Sequence, residues 1–508
     1  MAHILSNKML PVASVALLAC QGAGAATATG AASPARSSAA QKAPKPNIIF
    51  ILADDLGYGD IGILGQKTIK TPNLDRLARE GMIFTNHYSG APVSAPSRCS
   101  LMTGKHTGHT SIRGHITIPH VGVAPLWPSD VTLPEAIKNG TDYVTGMTGR
   151  WHLGGELTNQ TPHHRGFDYH FGKLSSDFPN KHGVLIDGLW DADGKHVPYS
   201  QYSAAGFEPM YENGKLYNLS PEEMKERPIN MDRLVTDHAK AFIEREKDKH
   251  FFLYVAYALV HAPMEYQDAT PVTQPNDWPD TERAFASMVM SLDKYVGEIM
   301  NDIDRLGLGQ KTLIIFSSDN GAHNEGGHSH LFFQSTGDFR GYKRDVYDGG
   351  FHTPMFCRWT GTIKAGSTNN LLSAFWDFMP TLCDLAGAPA PKITDGISFV
   401  PTLLGKPQTQ KHEFLYWEFD EHADMKKDRT PDYKQAVVFG PWKVLEYLDA
   451  QKIEVYDLVT DPGEEHDVAA EHPDIVQKGL HYMAISHVQN PIFPMLPSER
   501  NFIPLVRP

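Results

Sequence analysis

Cysteine is scarce in this 508-residue chain: four in all, at 20, 99, 357 and 383. The three beyond position 20 are an odd number without regular spacing, which excludes a disulfide framework and a cysteine zinc site. They read as small buried hydrophobes. Basic residues are outnumbered, 46 Lys and Arg against 59 Asp and Glu, for a formal net charge of −13. That balance argues against nucleic acid as a partner and requires any anion site to be locally positive. No internal repeat is visible. Long apolar runs are missing too: the stretch from Met9 to Ala19 is too short to span a bilayer.

What is there begins with an export pattern. Lys8 precedes the Met9–Ala19 run, and Leu17-Leu18-Ala19-Cys20 resembles a bacterial lipobox with Cys20 as the lipidated residue. Ordinary cleavage after Ala23-Gly24-Ala25 is the rival reading. Either way the expectation is an exported protein, in the periplasm or at the cell surface of a bacterium. The lipobox version is an outer-membrane lipoprotein, tethered by lipid rather than by a span. Residues 1–25 are then a signal, and 26–45, rich in Ala, Gly, Ser, Thr and Pro, a flexible linker.

From residue 46 the chain alternates buried strands and helices. Asn47–Ala53 is a continuous apolar run of strand length, as expected of a strand covered on both faces. It ends in Asp54-Asp55. Thr71 to Gly81 carries helix signals, with Thr71 as cap and Pro72 in the first turn. Further strands are predicted at Asp142–Thr148, leading to Gly149-Arg150-Trp151-His152, and at Phe251–Tyr257, leading to His261. A third, Thr312–Ser318, ends in Asp319-Asn320. A long helix from about Thr281 to Leu306 keeps apolar residues at helical spacing. This pattern predicts one α/β domain with a largely parallel sheet over residues 46–404. Residues 405–508 change texture to short strands, then a helix at Pro473–Ser486. They are expected to form a small antiparallel sheet with one covering helix and a surface tail after His487.

The densest stretch is Ser94-Ala95-Pro96-Ser97-Arg98-Cys99-Ser100-Leu101-Met102-Thr103-Gly104. A helix starting near Pro96 puts Ser94 and Arg98 on one face, beside free N–H groups that favour an anion. In open α/β sheets ligands bind at the carboxyl ends of strands. There Asp54, Asp55, Asp319 and Asn320 offer only oxygen, which selects Ca²⁺ or Mg²⁺ over zinc or copper. Ser94 supplies a hydroxyl, Arg98, Arg150 and Lys343 three cations, and His152 and His261 two proton carriers. A hard cation and several positive side chains around a hydroxyl suit a tetrahedral oxyanion ester, sulfate or phosphate.

Two motifs go further. Ser94-Ala95-Pro96-Ser97-Arg98, with Thr103-Gly104 behind it, resembles the first signature of the formylglycine-dependent type I sulfatases. Gly149-Arg150-Trp151-His152-Leu153-Gly154 resembles the second, and the resemblance extends over about residues 45–470. It implies an alkaline-phosphatase-like α/β fold with a small C-terminal domain, and Ca²⁺ held by Asp54, Asp55, Asp319 and Asn320. It implies that Ser94 is oxidised to formylglycine (3-oxoalanine), whose gem-diol attacks sulfur. The remaining hydroxyl then expels sulfate and restores the aldehyde. It also implies that Arg98 holds the hydrate, that His152 assists elimination, and that His261 and Lys343 bind sulfate oxygens. In that scheme His261 protonates the leaving alcohol. Arg150 departs from the lysine usual in the family, and Asp348 stands where glutamate is common. A serine at 94 resembles the bacterial subtype matured by a radical-SAM enzyme.

The resulting expectation is a sulfuric ester hydrolase acting on sulfated glycans, with His115, His163, Trp190 and Tyr202 as candidate sugar contacts. The alternatives are a phosphatase or phosphodiesterase of the same fold using unmodified Ser94, and a catalytically inactive glycan-binding surface protein.

Overall fold

The computed structural model describes residues 45–118, 122–155, 158–174, 189–190, 196–197, 210–217, 231–265, 277–420 and 433–500. Residues 1–44, which contain Cys20 and the expected signal and linker, lie outside this set, as does Tyr202. From Pro44 onward the chain forms one compact unit.

Ten strands make the central sheet: β1 (Asn47–Ala53), β2 (Met82–Phe84), β3 (Val144–Gly149), β4 (Tyr169–Gly172), β5 (Tyr211–Glu212), β6 (Lys215–Leu216), β7 (Phe251–Ala256), β8 (Thr312–Ser318), β9 (Met355–Arg358) and β10 (Ser367–Asn369). Their order is β6-β5-β4-β3-β7-β1-β8-β9-β2-β10. The middle is parallel: β1 pairs with β7 and β8, β7 with β3, and β3 with β4. The flanks are not. β9 runs antiparallel to both β8 and β2, and β5 to β4 and β6. The largely parallel sheet expected from strand–helix alternation is therefore a mixed one. A parallel neighbour needs a long crossover whereas an antiparallel one can follow by a short turn, as β6 follows β5.

The apolar run of β1 behaves as its composition requires. Ile48, Phe50 and Leu52 face one core layer, with α2 (Ser94–Thr103) and a helix at Phe378–Ala386. Ile49, Ile51 and Ala53 face the other, with α1 (Pro72–Arg79), α3 (Met231–Glu246) and α4 (Asp280–Arg305). A strand alternates its side chains between faces, so burial on both needs an uninterrupted apolar sequence. Thr71 stands at the N-cap of α1 without capping it; its hydroxyl accepts the Gly62 N–H at 2.8 Å. The first-turn N–H groups of Asn73 and Leu74 go instead to Asp293 Oδ1 on α4, at 2.9 and 2.8 Å.

The C-terminal region is a four-stranded antiparallel meander, β11 (Leu415–Asp420), β12 (Tyr433–Phe439), β13 (Trp442–Tyr447) and β14 (Lys452–Asp457), covered by a helix at Pro473–Ser486. The tail beyond it is not the expected surface segment. Phe493 is fully buried within the main core, and the Asn490 side chain donates to Thr110 O and Ser111 O at 3.3 and 3.2 Å. Apolar side chains spaced among prolines give this segment something to bury without regular structure. Among the described residues no helix is long and apolar enough to cross a membrane.

Candidate active site

The parallel register decides where the polar residues go. Leu52 pairs with Ala256 and Ala256 with Gly149, while Ala53 pairs with Ser318. The residues that follow, Arg150, Asp54 and Asp319, therefore leave one edge of the sheet side by side. Gly149 is required by the close packing there. Its φ is 106°, and a Cβ on it would stand 1.8 Å from Ala256 O. The loop after β7 is clamped to the same edge, with Asp54 N–H donating to Leu259 O (2.8 Å) and Val260 N–H to Asp54 O (2.6 Å). This brings His261 over Asp55. Asp55 and His152 both hold left-handed backbone, φ 64° and 63°. Strain of this kind at non-glycine residues accumulates at functional sites.

Helix α2 begins at Ser94 itself, two residues earlier than Pro96 suggested. The Ser94 hydroxyl donates to Asp54 Oδ1 at 3.1 Å and lies 3.4 Å from Asn320 Oδ1. One turn later Arg98 reaches the same acids, with Nε to Asp319 Oδ2 at 2.9 Å and Nη2 to Asp319 Oδ2 and Asp54 Oδ2 at 2.7 and 3.1 Å. Its third nitrogen donates to Arg150 O at 2.9 Å. Arg150 pairs with Asp54 Oδ2 and points its other terminal nitrogen at His152 Nδ1, 2.9 Å away. Lys343 Nζ donates to Asp55 Oδ2 and Glu325 Oε2, both at 2.9 Å. His261 donates from Nδ1 to Ala262 O at 2.7 Å and sets Nε2 3.8 Å from Asp55 Oδ2.

Asp54, Asp55, Asp319 and Asn320 are fully buried. Burial raises a carboxyl, yet Arg150, Arg98, His261 and Lys343 together hold Asp54 well below the usual range. For Asp319 burial and then the neighbouring Asp54 prevail over Arg98, pushing it up to about 6. Three buried carboxylates around one point repel each other, and an amide oxygen completes an oxygen-only donor set. Asn320 turns its Nδ2 to Asp55 Oδ1 at 2.8 Å, so its oxygen is the atom facing Ser94. This group fits a hard divalent cation in both charge and chemistry. Asp54, Asp55 and His261 bring ligand atoms within 4.8 Å of one another, as do Asp55, His323 and Glu325. Burial, and then Arg150, hold His152 well below its ordinary value; burial, and then Lys343, bring His261 to about 4.

The ten residues read from the sequence as metal-binding or catalytic thus converge: Asp54, Asp55, Ser94, Arg98, Arg150, His152, His261, Asp319, Asn320 and Lys343. His115 joins them, its ring edge-on to His152 at 5.3 Å. His163 does not. It sits on the short turn Pro162–Arg165, sharing the Thr161 hydroxyl with His164. Trp190 lies on a two-residue strand, and its side chain is outside the described set. Three neighbours escaped the sequence reading. His323 donates from Nε2 to Val260 O (3.1 Å), and Arg344 donates from Nη1 to Glu325 Oε1 (2.5 Å). The His323-Asn324-Glu325 run just past Asn320 was the available signal.

A hydroxyl at a helix start, a carboxylate cluster and three cations at the carboxyl edge of an α/β sheet define a hydrolase of tetrahedral oxyanion esters. The Sulfatase family profile matches residues 46–388, and that of the N-sulphoglucosamine sulphohydrolase C-terminal region matches 337–486. The chain belongs to the sulfatase family and is a sulfuric ester hydrolase. It is 31% identical to human steryl-sulfatase over 428 residues, covering 74% of this chain and 72% of the relative. It is 29% identical to the N-acetylgalactosamine-6-O-sulfatase of Bacteroides thetaiotaomicron over 524 residues, covering 90% and 96%. Among solved structures it resembles Ps i-CgsB in complex with k-i-k-neocarrahexaose, with TM-score 0.72, 27% identity, and 90% and 96% coverage. The PsFucS1 sulfatase from Pseudoalteromonas sp. gives 0.66, at 25% identity and 88% and 90% coverage.

Proposed function

We propose that this enzyme removes sulfate from carbohydrate by way of a formylglycine made from Ser94. The observation that carries the reading is the Ser94 hydroxyl, 3.1 Å from Asp54 Oδ1 and 3.4 Å from Asn320 Oδ1. It stands on the N-terminus of a helix that bears Arg98. In the oxidised, hydrated form, residue 94 supplies the attacking hydroxyl and a second hydroxyl through which sulfate leaves.

The chain's own residues prepare that step. Arg98 is fixed by Asp319 and Asp54, so it holds residue 94 and the carboxylates in one frame. Arg150 donates to His152 Nδ1, which leaves the ring proton on Nε2, the nitrogen that would exchange a proton with residue 94. Lys343 brings an ammonium to the acid cluster, where it can bind a sulfate oxygen. His261 commits its Nδ1 proton to Ala262 O, so Nε2 is the nitrogen for the leaving alcohol, to which it would deliver a proton from the imidazolium form. Asp54, Asp55, Asp319 and Asn320 would hold Ca²⁺, which would neutralise developing charge on oxygen. The glycan substrate is supported by the named carbohydrate sulfatase among the relatives and by the oligosaccharide-bound structure neighbour. Maturation by a radical-SAM enzyme, export, and lipid on Cys20 belong to the same proposal and rest on Ser94 and on residues 8–25.

The test is mass spectrometry of the Ser94 peptide from active enzyme, alongside turnover of an aryl sulfate and the matching aryl phosphate. Loss of two hydrogens at Ser94 with preferential sulfate release supports the proposal. Robust phosphate turnover by an unmodified serine refutes it, and so does retained binding of a sulfated glycan without turnover by aldehyde-bearing protein.

A further inference from the structure

A second charge cluster lies where the C-terminal sheet meets the loop that carries Lys343. Lys443 of β13 is fully buried, with Nζ 2.7 Å from Asp348 Oδ1 and 2.8 Å from Glu464 Oε1. Glu464 is fully buried as well, and its Oε2 accepts the Asp348 N–H at 2.7 Å. The second Asp348 oxygen accepts the Tyr88 hydroxyl at 3.1 Å and faces His352 Nδ1 at 3.0 Å. Lys443 Nζ also stands 4.8 Å from the Phe351 ring centroid. Two carboxylates thus share one ammonium away from water. Apolar residues would pack such a junction at lower cost; what a buried ionic group adds is a defined geometry.

That geometry is passed to the site through backbone. Residues 340–350 form a closed loop: Gly349 N–H donates to Arg340 O at 2.7 Å, and Asp345 N–H to Tyr342 O at 2.8 Å. Glu464 holds the far side too, its carbonyl accepting Arg340 Nη1 at 2.6 Å. The loop touches the active site at two points. Lys343 N–H donates to Ala322 O at 2.7 Å, and Gly350 O accepts the Gly321 N–H at 2.8 Å, next to Asn320. There is no slack at the second point, because a Cβ on Gly321 would stand 1.9 Å from Gly349 O. Asp348 sits in the middle of this chain of contacts, between the C-terminal sheet and the two glycines.

We infer that Lys443 and Glu464 are positioning residues for sulfate ester hydrolysis, acting through Asp348 and the 340–350 loop on Lys343. The C-terminal sheet is then part of the catalytic apparatus and not only a cover for it. This rests on Lys343 being the sulfate-binding cation, and the test separates the two ideas.

The experiment is a double-mutant cycle in the full-length matured enzyme, reading kcat and KM for an aryl sulfate. Formylglycine content by mass spectrometry and the melting temperature are followed in parallel. Lys443→Gln is expected to lower kcat/KM by about 10-fold or more, at unchanged aldehyde content. Added to Lys343→Ala, it should cost less than about 2-fold further, since both act through one group. Glu464→Gln keeps the acceptor for Asp348 N–H and nearly the same volume, so it carries the cycle if Lys443→Gln does not fold. Losses that multiply overturn the coupling. So does wild-type kcat/KM in either folded variant, or a loss that only tracks the unfolded fraction. Wild-type kinetics in Lys343→Ala instead removes the role given to Lys343, and a surviving effect of Lys443→Gln would then arise elsewhere, which also overturns the inference.

Discussion

Asp54 receives the Ser94 hydroxyl on one carboxylate oxygen and both Arg98 and Arg150 on the other. One acid at the end of β1 therefore aligns Ser94 with two of the three site cations. Ser94→Ala removes the hydroxyl proposed to be oxidised and to attack. It is expected to lower aryl sulfate turnover by at least ~10³-fold with a melting temperature near that of the parent. Measurable turnover within ten-fold of the parent, on the order of the loss expected from a mere binding contact, would place the nucleophile elsewhere.

Removal of divalent metal is the second test. With Asp54, Asp55 and Asp319 buried together, chelation should abolish activity and lower the melting temperature. Ca²⁺ at ~100 times its dissociation constant should return about 2.7 kcal/mol of stability. Asp319→Asn should weaken that calcium response while leaving the protein folded, as followed by calorimetric titration. An unchanged melting curve after chelation and dialysis would count against a cation at these residues.

Arg150 bridges Asp54 and His152 through its planar fork, a geometry lysine cannot copy. Arg150→Ala is expected to reduce kcat by ~10²–10³-fold, and Arg150→Lys to fall between it and the parent. Arg150 is the second cause, after burial, of the low proton affinity of His152. Its loss should move the acidic limb of the kcat–pH profile to higher pH. A limb that stays in place would separate His152 from the profile.

His487 lies between two carboxylates, with Nδ1 2.7 Å from Glu418 Oε2 and Nε2 2.8 Å from Glu499 Oε1. Burial would lower its proton affinity, but Glu418 and then Glu499 outweigh it and the folded value is raised. A group raised on folding stabilises fully below its unfolded value of about 6.5, and that contribution fades as pH rises through the folded value. The gap in melting temperature between the parent and His487→Gln should therefore be largest near about pH 6 and narrow toward about pH 9. A gap that is flat with pH would mean His487 acts through packing alone.

Phe493 is the anchor of the C-terminal tail, fully buried in the main core. Phe493→Ala is expected to cost about 3–5 kcal/mol in urea unfolding. A cost under about 1 kcal/mol, the range of an exposed site, would show that the tail does not dock as described.

Much of the site was legible because the information is local. Strands buried on both faces announce themselves as apolar runs, and the residues that end them are the ones a parallel sheet delivers to one edge. Ser94 and Arg98 share a face through helical periodicity alone. Lys343 was counted among the site cations from the sequence, but its sulfate-binding role came only through resemblance, since it ends no strand. The tail beyond His487 was misread because proline-rich sequence has no periodicity to show which side is buried.

The sequence by itself determined the elements, the chemistry available at each strand end, and the identity of the residue at 94. These depend on side-chain period and on hydrogen bonds within a few residues. Only the tertiary structure decided the mixed order of the sheet, the burial of Phe493, the arrival of His323 and Glu325 beside Asp55, and the Asp348–Lys443–Glu464 junction. Each of these pairs residues far apart along the chain, so its energy exists only once the intervening segments have packed.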